Sequence, residues 1–423
     1  MNVLRVSRLL LMAAPVLLPA WGMAQPAAEP AEPPPPHVLR LEGDGVQVLR
    51  EGTAEALVVG DPVLYGDRLD AGNAYVQLQW ADGSRISVDR GGRLEALAAD
   101  LLAVTAGRVV VIRPVGVEGR IRVDTPAASV VLATAGEYRF TLDDETTTVG
   151  VVRGRADVQN GMGERVVESG QQVALRDGLA PEAARRYNAA GYDSFFQWAT
   201  LAPEAPAAGT PLETFADPRF EAYSDVFNRY GSWDTDPQAG AVWYPTVGAD
   251  WRPYADGYWQ AYGASSQWLW VARDPWGWPT HHYGRWGMNP RGRWYWAPGR
   301  QWSPGHVSWS VGPGYIGWTP LGRSNQPLWA WDDFTRRPGR GVYPGGTLDP
   351  GRAWTVIPSD HFGRRDRLGA YAVDPRTLDN LSAFVTQRQG PPPRYGGPRG
   401  GIYGYGQERG GAYGRGGYYG GPP

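Results

Sequence analysis

Cysteine and lysine are both missing from this chain of 423 residues. The first absence excludes a disulfide framework, a thiolate zinc centre and lipid attachment through cysteine. The second leaves arginine as the only strong base, 41 against 43 acidic residues, for a formal net charge of −2. So even a balance argues against a general polyanion binder; the missing lysine is ascribed to genome base composition. Long apolar runs are also scarce. One stretch, residues 9–18, follows Arg5 and Arg8 and leads to Gly22-Met23-Ala24, the pattern of a secretory signal. Pro15 and Pro19 flank or break it, and it is too short for a stable spanning helix. Cleavage near Ala24 is expected, giving a periplasmic or secreted chain with no transmembrane helix; an uncleaved anchor is the alternative. Leu, Ile and Val, finally, thin out over residues 230–331, where sixteen of the twenty tryptophans lie.

Those tryptophans repeat. Gly231-Ser-Trp233 is followed by Trp243, Gly257-Tyr-Trp259 by Trp270, and Gly284-Arg-Trp286 by Trp296; a looser fourth copy pairs Trp309 with Trp318. The first tryptophan recurs at intervals of 26, 27 and 23 residues, which marks one supersecondary unit used several times. Each copy holds two aromatic runs around a turn-rich centre, such as Met288-Asn-Pro-Arg-Gly292 in the third, and this predicts β-hairpins. Proline two residues after Trp243, Trp296 and Trp318 ends the second strand, having no N–H for the ladder. With few aliphatics available, indole and phenol rings of about 150–250 Å² each must supply the buried area.

Residues 38–178 read differently. Tyr75-Val-Gln-Leu-Gln-Trp80, Arg85-Ile-Ser-Val88 and Arg120-Ile-Arg-Val123 alternate at the strand period. Val109-Val-Val-Ile112 is continuous, as in a strand covered on both faces. Turn signals such as Asp82-Gly83 and Asn160-Gly161 separate ten or so short strands, implying a β sandwich or roll. Gly66-Asp-Arg-Leu69, Trp80-Ala-Asp-Gly-Ser84, Asp124-Thr-Pro-Ala127, Gly136-Glu-Tyr-Arg-Phe140 and Val152-Arg-Gly-Arg-Ala156, in order, resemble the FecR domain. That resemblance implies a periplasmic β module; its best-known members relay the state of an outer-membrane transporter to a sigma factor. With only a signal segment ahead of it, this chain is expected to share the fold and compartment rather than the relay. Asp250-Trp-Arg-Pro253, Asp274-Pro-Trp-Gly-Trp278, His282-Tyr-Gly-Arg-Trp286 and Gly317-Trp-Thr-Pro-Leu321 resemble the Trp-rich WxP-repeat domain of unknown function that follows FecR-like domains in exported proteobacterial proteins.

The expected organisation is mainly β: signal peptide 1–24, Pro-rich tether 25–37, FecR-like β domain 38–178, helical connector 179–229, Trp-rich hairpin domain 230–388 and disordered Gly/Tyr/Arg tail 389–423. The tether should be extended and unpacked. In the connector, Asp193 should cap a helix carrying Phe195, Phe196 and Trp198, and Asp217-Pro218 should start one carrying Phe220, Tyr223 and Phe227.

No catalytic constellation stands out, so no enzyme, cofactor or metal is expected. His281 and His282, adjacent on a strand, would face opposite ways and could not easily share an ion. Flat rings beside carboxylates suit sugar recognition, which singles out Trp259, Trp268, Trp276 and Trp278 with Asp250 and Asp274 as a ligand site. The competing reading is that most tryptophans are hairpin core. The favoured function is a non-catalytic binding or scaffold protein of the cell envelope, its partner an envelope protein, polysaccharide or peptidoglycan and not nucleic acid. Glycan binding through exposed tryptophan and a FecR-type relay are the alternatives.

Overall fold

Gly107 is the pivot of the first module. It divides the thirteen-residue strand Leu101–Arg113, and its φ of +78° is one that glycine adopts without cost. A Cβ there would lie 2.6 Å from the Cα of Gly92. Before the pivot, the strand pairs with Arg93–Ala98 and, in parallel, with Ile121–Asp124. After it, the strand pairs with Arg85–Val88 and Gly136–Leu142. One strand thus serves both halves of a sixteen-stranded network. Both halves contribute to one valine-rich core that includes Val48, Leu69, Val76, Ile86, Val111, Val130, Phe140 and Val151. This is the expected sandwich or roll. The computed structural model describes residues 32–188, 193–207, 210–211, 217–263, 267–331, 342–343, 346–347, 353–378 and 381–387. The expected signal segment and the Gly-rich tail lie outside them.

Four short helices are described between and within the modules: α1 (Ser194–Ala199), α2 (Pro218–Glu221), α3 (Ser224–Tyr230) and α4 (Gly277–His282). Asp193 caps α1 by accepting from the Phe196 N–H, and Asp217 caps α2 by accepting from Arg219, both as expected. The two ends of the connector go to different cores. Phe195, Phe196 and Trp198 cover Tyr75, Val110 and Ile112 of the first module. Phe220, Tyr223 and Phe227 enter the aromatic core of the second. Helix α1 therefore supplies the second cover that the run Val109–Ile112 called for. It also explains why strand Tyr75–Gln79 is buried on both faces despite its alternating pattern. Gln77 donates to Ala199 O and Gln79 to Pro218 O, so the polar face of the strand caps the ends of α1 and α2.

In the second module all four repeats form hairpins, and in each the two tryptophans stand directly opposite: Trp233 to Trp243, Trp259 to Trp270, Trp286 to Trp296, and Trp309 to Trp318. The first and third hairpins join through Trp243 and Trp296 into a four-stranded sheet. The fourth is flanked by Thr355–Pro358 and Val385–Gln387. The Gly-x-Trp signature follows from the pairing. The ring of the second tryptophan folds back over the glycine two residues before the first. A Cβ would meet the Trp243 ring at 2.3 Å from Gly231, the Trp270 ring at 2.7 Å from Gly257 and the Trp296 ring at 2.8 Å from Gly284. The fourth copy has Val307 in that place and lacks the signature.

Two expectations are corrected. His281 and His282 lie on helix α4, not on a strand, because the turn Asp274–Gly277 and Pro279 start a helix there. The end of the tether is packed, not free. Pro35 and Pro36 are buried, and the bare carbonyls of this proline run accept hydrogen bonds from Tyr262 (to Pro33), Tyr65 (to Pro34, 2.8 Å) and the Val63 N–H (to Pro36, 2.8 Å). Among the described residues no helix is long and apolar enough to cross a membrane.

Candidate functional site

The tryptophans singled out from the sequence are mostly interior. Trp259 is 1% exposed, Trp276 5% and Trp278 7%. Trp259 packs against Trp270, Trp309 and Trp318, and Trp278 stacks on His37 at 3.8 Å. Trp268 is half-buried and meets the Phe362 ring edge-on at 4.6 Å. An open platform built from these four rings is therefore corrected. Thin hairpins have nothing else to bury, so the alternation that should leave half the rings outside is overridden by covering loops, helices and the neighbouring module.

Part of the expected ring-and-acid pairing does assemble, around a tryptophan the sequence reading did not select. Strand Gln267–Ala272 ends before Asp274, whose carbonyl accepts from the Gly277 N–H and turns the chain into α4. A Cβ on Gly277 would stand 2.2 Å from the Ala272 side chain, so this turn requires glycine. Its tightness brings Asp274 under the half-buried Trp251, whose indole N–H donates to Asp274 Oδ1 at 3.2 Å. Burial, with Asp256 nearby, pushes the Asp274 carboxyl up to about 7, against the pull of the Trp251 hydrogen bond and of Arg367. Trp251 also lines a cleft of about 250 Å³ with Val247, Gly248, Arg293 and Trp294. Asp250 is exposed next to it in sequence. The cleft thus offers one accessible indole and one guanidinium; Asp274 holds that indole by its N–H and does not line the cleft itself. The cleft can stack a flat ring and exchange hydrogen bonds with hydroxyls. Trp259, Trp268 and Trp278 are not part of it.

The histidines are structural. The His281 ring N–H at Nδ1 donates to Gly277 O at 2.9 Å, and Nε2 accepts from the Tyr254 N–H at 3.2 Å, which requires the neutral ring. Desolvation pushes His281 and His282 down to about 3 and His306 to about 4. Among the described residues no cluster of three or more His, Asp or Glu is arranged to hold a metal ion.

A second charged cluster was not visible in the sequence. Asp61, 1% exposed, lies where the two modules meet. Its Oδ1 accepts from Arg273 at 3.0 Å and from the Tyr258 hydroxyl at 3.3 Å; its Oδ2 accepts from the Val58 N–H at 3.0 Å and from Arg365 at 3.4 Å. Arg365 also bonds Glu55 at 2.6 Å and Tyr258 at 3.1 Å. Arg50, held by Asp67, reaches across to Gln260 at 3.4 Å. Gly60-Asp61 reads only as a turn in the sequence, and nothing local to it signals partners more than 190 residues away.

Residues 224–325 match the model of a family of unknown function, DUF6600. This stretch contains all four tryptophan hairpins and the Trp251 cleft. No curated protein matches the chain. Among solved structures, two crystal structures of a proposed anti-sigma factor from Parabacteroides distasonis are similar at 15% and 14% identity. They cover 37% and 44% of this chain, and 72% and 97% of their own, each with a TM-score of 0.24. A likeness that weak carries no argument about function.

Proposed function

We propose that this protein is an exported, non-catalytic binding or scaffold protein of the bacterial cell envelope. In this reading the FecR-like first module and the Trp-rich second module act as one body. The supporting observation is the Asp61 seam. A buried carboxylate shared by Arg273 and Arg365 fixes the orientation of the modules and so presents their surfaces together. Removing either guanidinium would leave a buried charge short of a partner, which holds the arrangement in place. Export follows from the signal segment. The test is fractionation with N-terminal mass spectrometry, then cross-linking in cells. A chain starting near Gln25 in the periplasmic or secreted fraction, cross-linked to an envelope component, is the expected result. A cytoplasmic, unprocessed chain would end the proposal, and an uncleaved, membrane-retained chain would favour the relay reading instead.

Glycan or peptidoglycan recognition is the second reading, now centred on Trp251 and Asp274 and no longer on Trp276 and Trp278. The half-buried Trp251 indole lining a cleft with Arg293, and fixed by its bond to Asp274, favours it. Affinity for purified sacculi, read by sedimentation, should fall about five- to thirtyfold in Trp251→Ala if stacking supplies roughly 1–2 kcal/mol. Unchanged sedimentation with the fold intact would remove this site.

A further inference from the structure

We propose that a second cleft, of about 510 Å³, between the end of the first module and helix α2 is a carboxylate-binding site, with Arg85 and Arg153 as the gripping residues. The cleft is lined by Arg85, Arg113 and Arg153, with Glu221 as the only acid among the lining residues. Elsewhere the partly buried arginines divide: Arg40, Arg252 and Arg285 donate to neutral oxygens, and six others meet acids. Arg50, Arg108, Arg139, Arg219, Arg273 and Arg365 each sit within 3.0 Å of a carboxylate.

Here the match fails. Arg85 donates to Leu201 O at 2.9 Å, and no ion pair to it is found among the described residues. Burial pulls its guanidinium below the usual arginine range, against the pull of Glu221. Arg113 is 1% exposed. It donates to Leu132 O and Gly119 O, and its Nε–H has no acceptor among the described residues. Its nearest acid, Asp82 at 3.6 Å, already accepts from the Ser84 N–H and hydroxyl. Arg153 is 72% exposed at the rim; its nearest acid, Glu137 at 4.0 Å, is held by Arg139 at 2.7 Å.

A desolvated guanidinium in a concave site, with a second at the mouth, fits the planar, two-oxygen carboxylate. The walls are otherwise apolar: Ile112, Pro114, Val115, Pro203, Pro218 and Ala222. Val115 is 88% exposed, an unusual position for valine beside charge. The ligand therefore carries a carboxylate on an aliphatic or peptide frame. The inference goes beyond the scaffold reading and stands whether or not the Trp251 cleft binds glycan.

The test is titration of the purified full chain with glutarate, with a blocked Val-Glu-Val peptide and with inorganic phosphate, read by calorimetry. Saturable binding of glutarate or the peptide, weakened at least about tenfold in Arg85→Gln and in Arg153→Gln, is the expected result. Tighter binding of the peptide than of glutarate would place the carboxylate on a polypeptide; the reverse would make it a free acid. Arg153 is exposed, so Arg153→Gln keeps the test valid even if Arg85→Gln fails to fold. Binding of phosphate alone, binding unchanged in both variants, or no binding up to about 10 mM would overturn the site.

Discussion

Gly231→Ala isolates the steric rule behind the tryptophan repeats. Gly231 is extended backbone, with φ near ±180°, so alanine costs nothing there in backbone strain. The added methyl would stand 2.3 Å and 2.4 Å from two ring carbons of Trp243 and 2.5 Å from Tyr244 O. Trp243 is fully buried, its N–H bonded to Phe227 O at 3.2 Å and its ring against Phe227 and Trp276. It cannot swing aside without losing those contacts. Overpacking at a rigid site costs about 1–3 kcal/mol, and with backbone on one side the upper part of that range is expected. Gly248→Ala is the matched control in the same module: nothing lies within 4 Å of its Cβ and its φ is not positive. It should be neutral, or stabilising by up to about 1 kcal/mol through the unfolded chain. Urea unfolding followed by tryptophan fluorescence reads both. If Gly231→Ala falls within about 0.5 kcal/mol of wild type, the glycines are not there to admit the rings.

Three further outcomes are expected. Asp61→Asn should destabilise by about 3 kcal/mol, because Arg273 and Arg365 lose a shared buried partner but keep some access to water; the check is the unfolding midpoint, with loss of joint unfolding of the two modules. Acid should weaken the second module. His281, His282 and His306 are held neutral in the fold but protonate when unfolded. Stability is therefore lost as pH falls from about 6.5 toward 3–4, at up to ~1.4 kcal/mol per pH unit per histidine; urea midpoints between about pH 7 and 5 should decline, and a flat profile would contradict the burial. Asp274 has the opposite sign: its raised value means stability is lost as pH rises through about 7. The loss runs from about pH 4 to about pH 7, so Asp274→Asn, which keeps an acceptor for Trp251, should match wild type near pH 4 and exceed it by about 1–2 kcal/mol near pH 8.

The legible part of this chain is what short-range pattern controls. Strand period, turn residues and caps placed the β modules, the tryptophan hairpins, helix α1 and the start of α2, down to Asp193 and Asp217; the single helix expected over Phe220, Tyr223 and Phe227 instead breaks at Ala222–Tyr223 into α2 and α3. The pairing of Gly-x-Trp with the later tryptophan was readable as a repeat; the reason for the glycine was not, since it lies across the hairpin. The burial of the tryptophans chosen as a ligand platform was not legible. Trp276 and Trp278 look the same as Trp251 in sequence, each beside Asp or Pro. What separates them is the tight turn at Gly277 and the contact of Trp278 with His37 of the other module, both set by tertiary packing. Asp61, Arg85 and Arg365 carry no local signal at all, because their meaning lies in which charges do or do not meet them after folding.

The two cores explain why the seam between the modules is polar. Valine and isoleucine fill the first module to completion, and indole rings interlock in the second with edges and faces matched ring to ring. Neither leaves an apolar face for the other, apart from the His37 and Leu39 contacts with the aromatic side. A shared surface between two closed cores must then be specified by directional bonds, and a buried carboxylate gripped by two guanidinium groups supplies direction that apolar contact cannot.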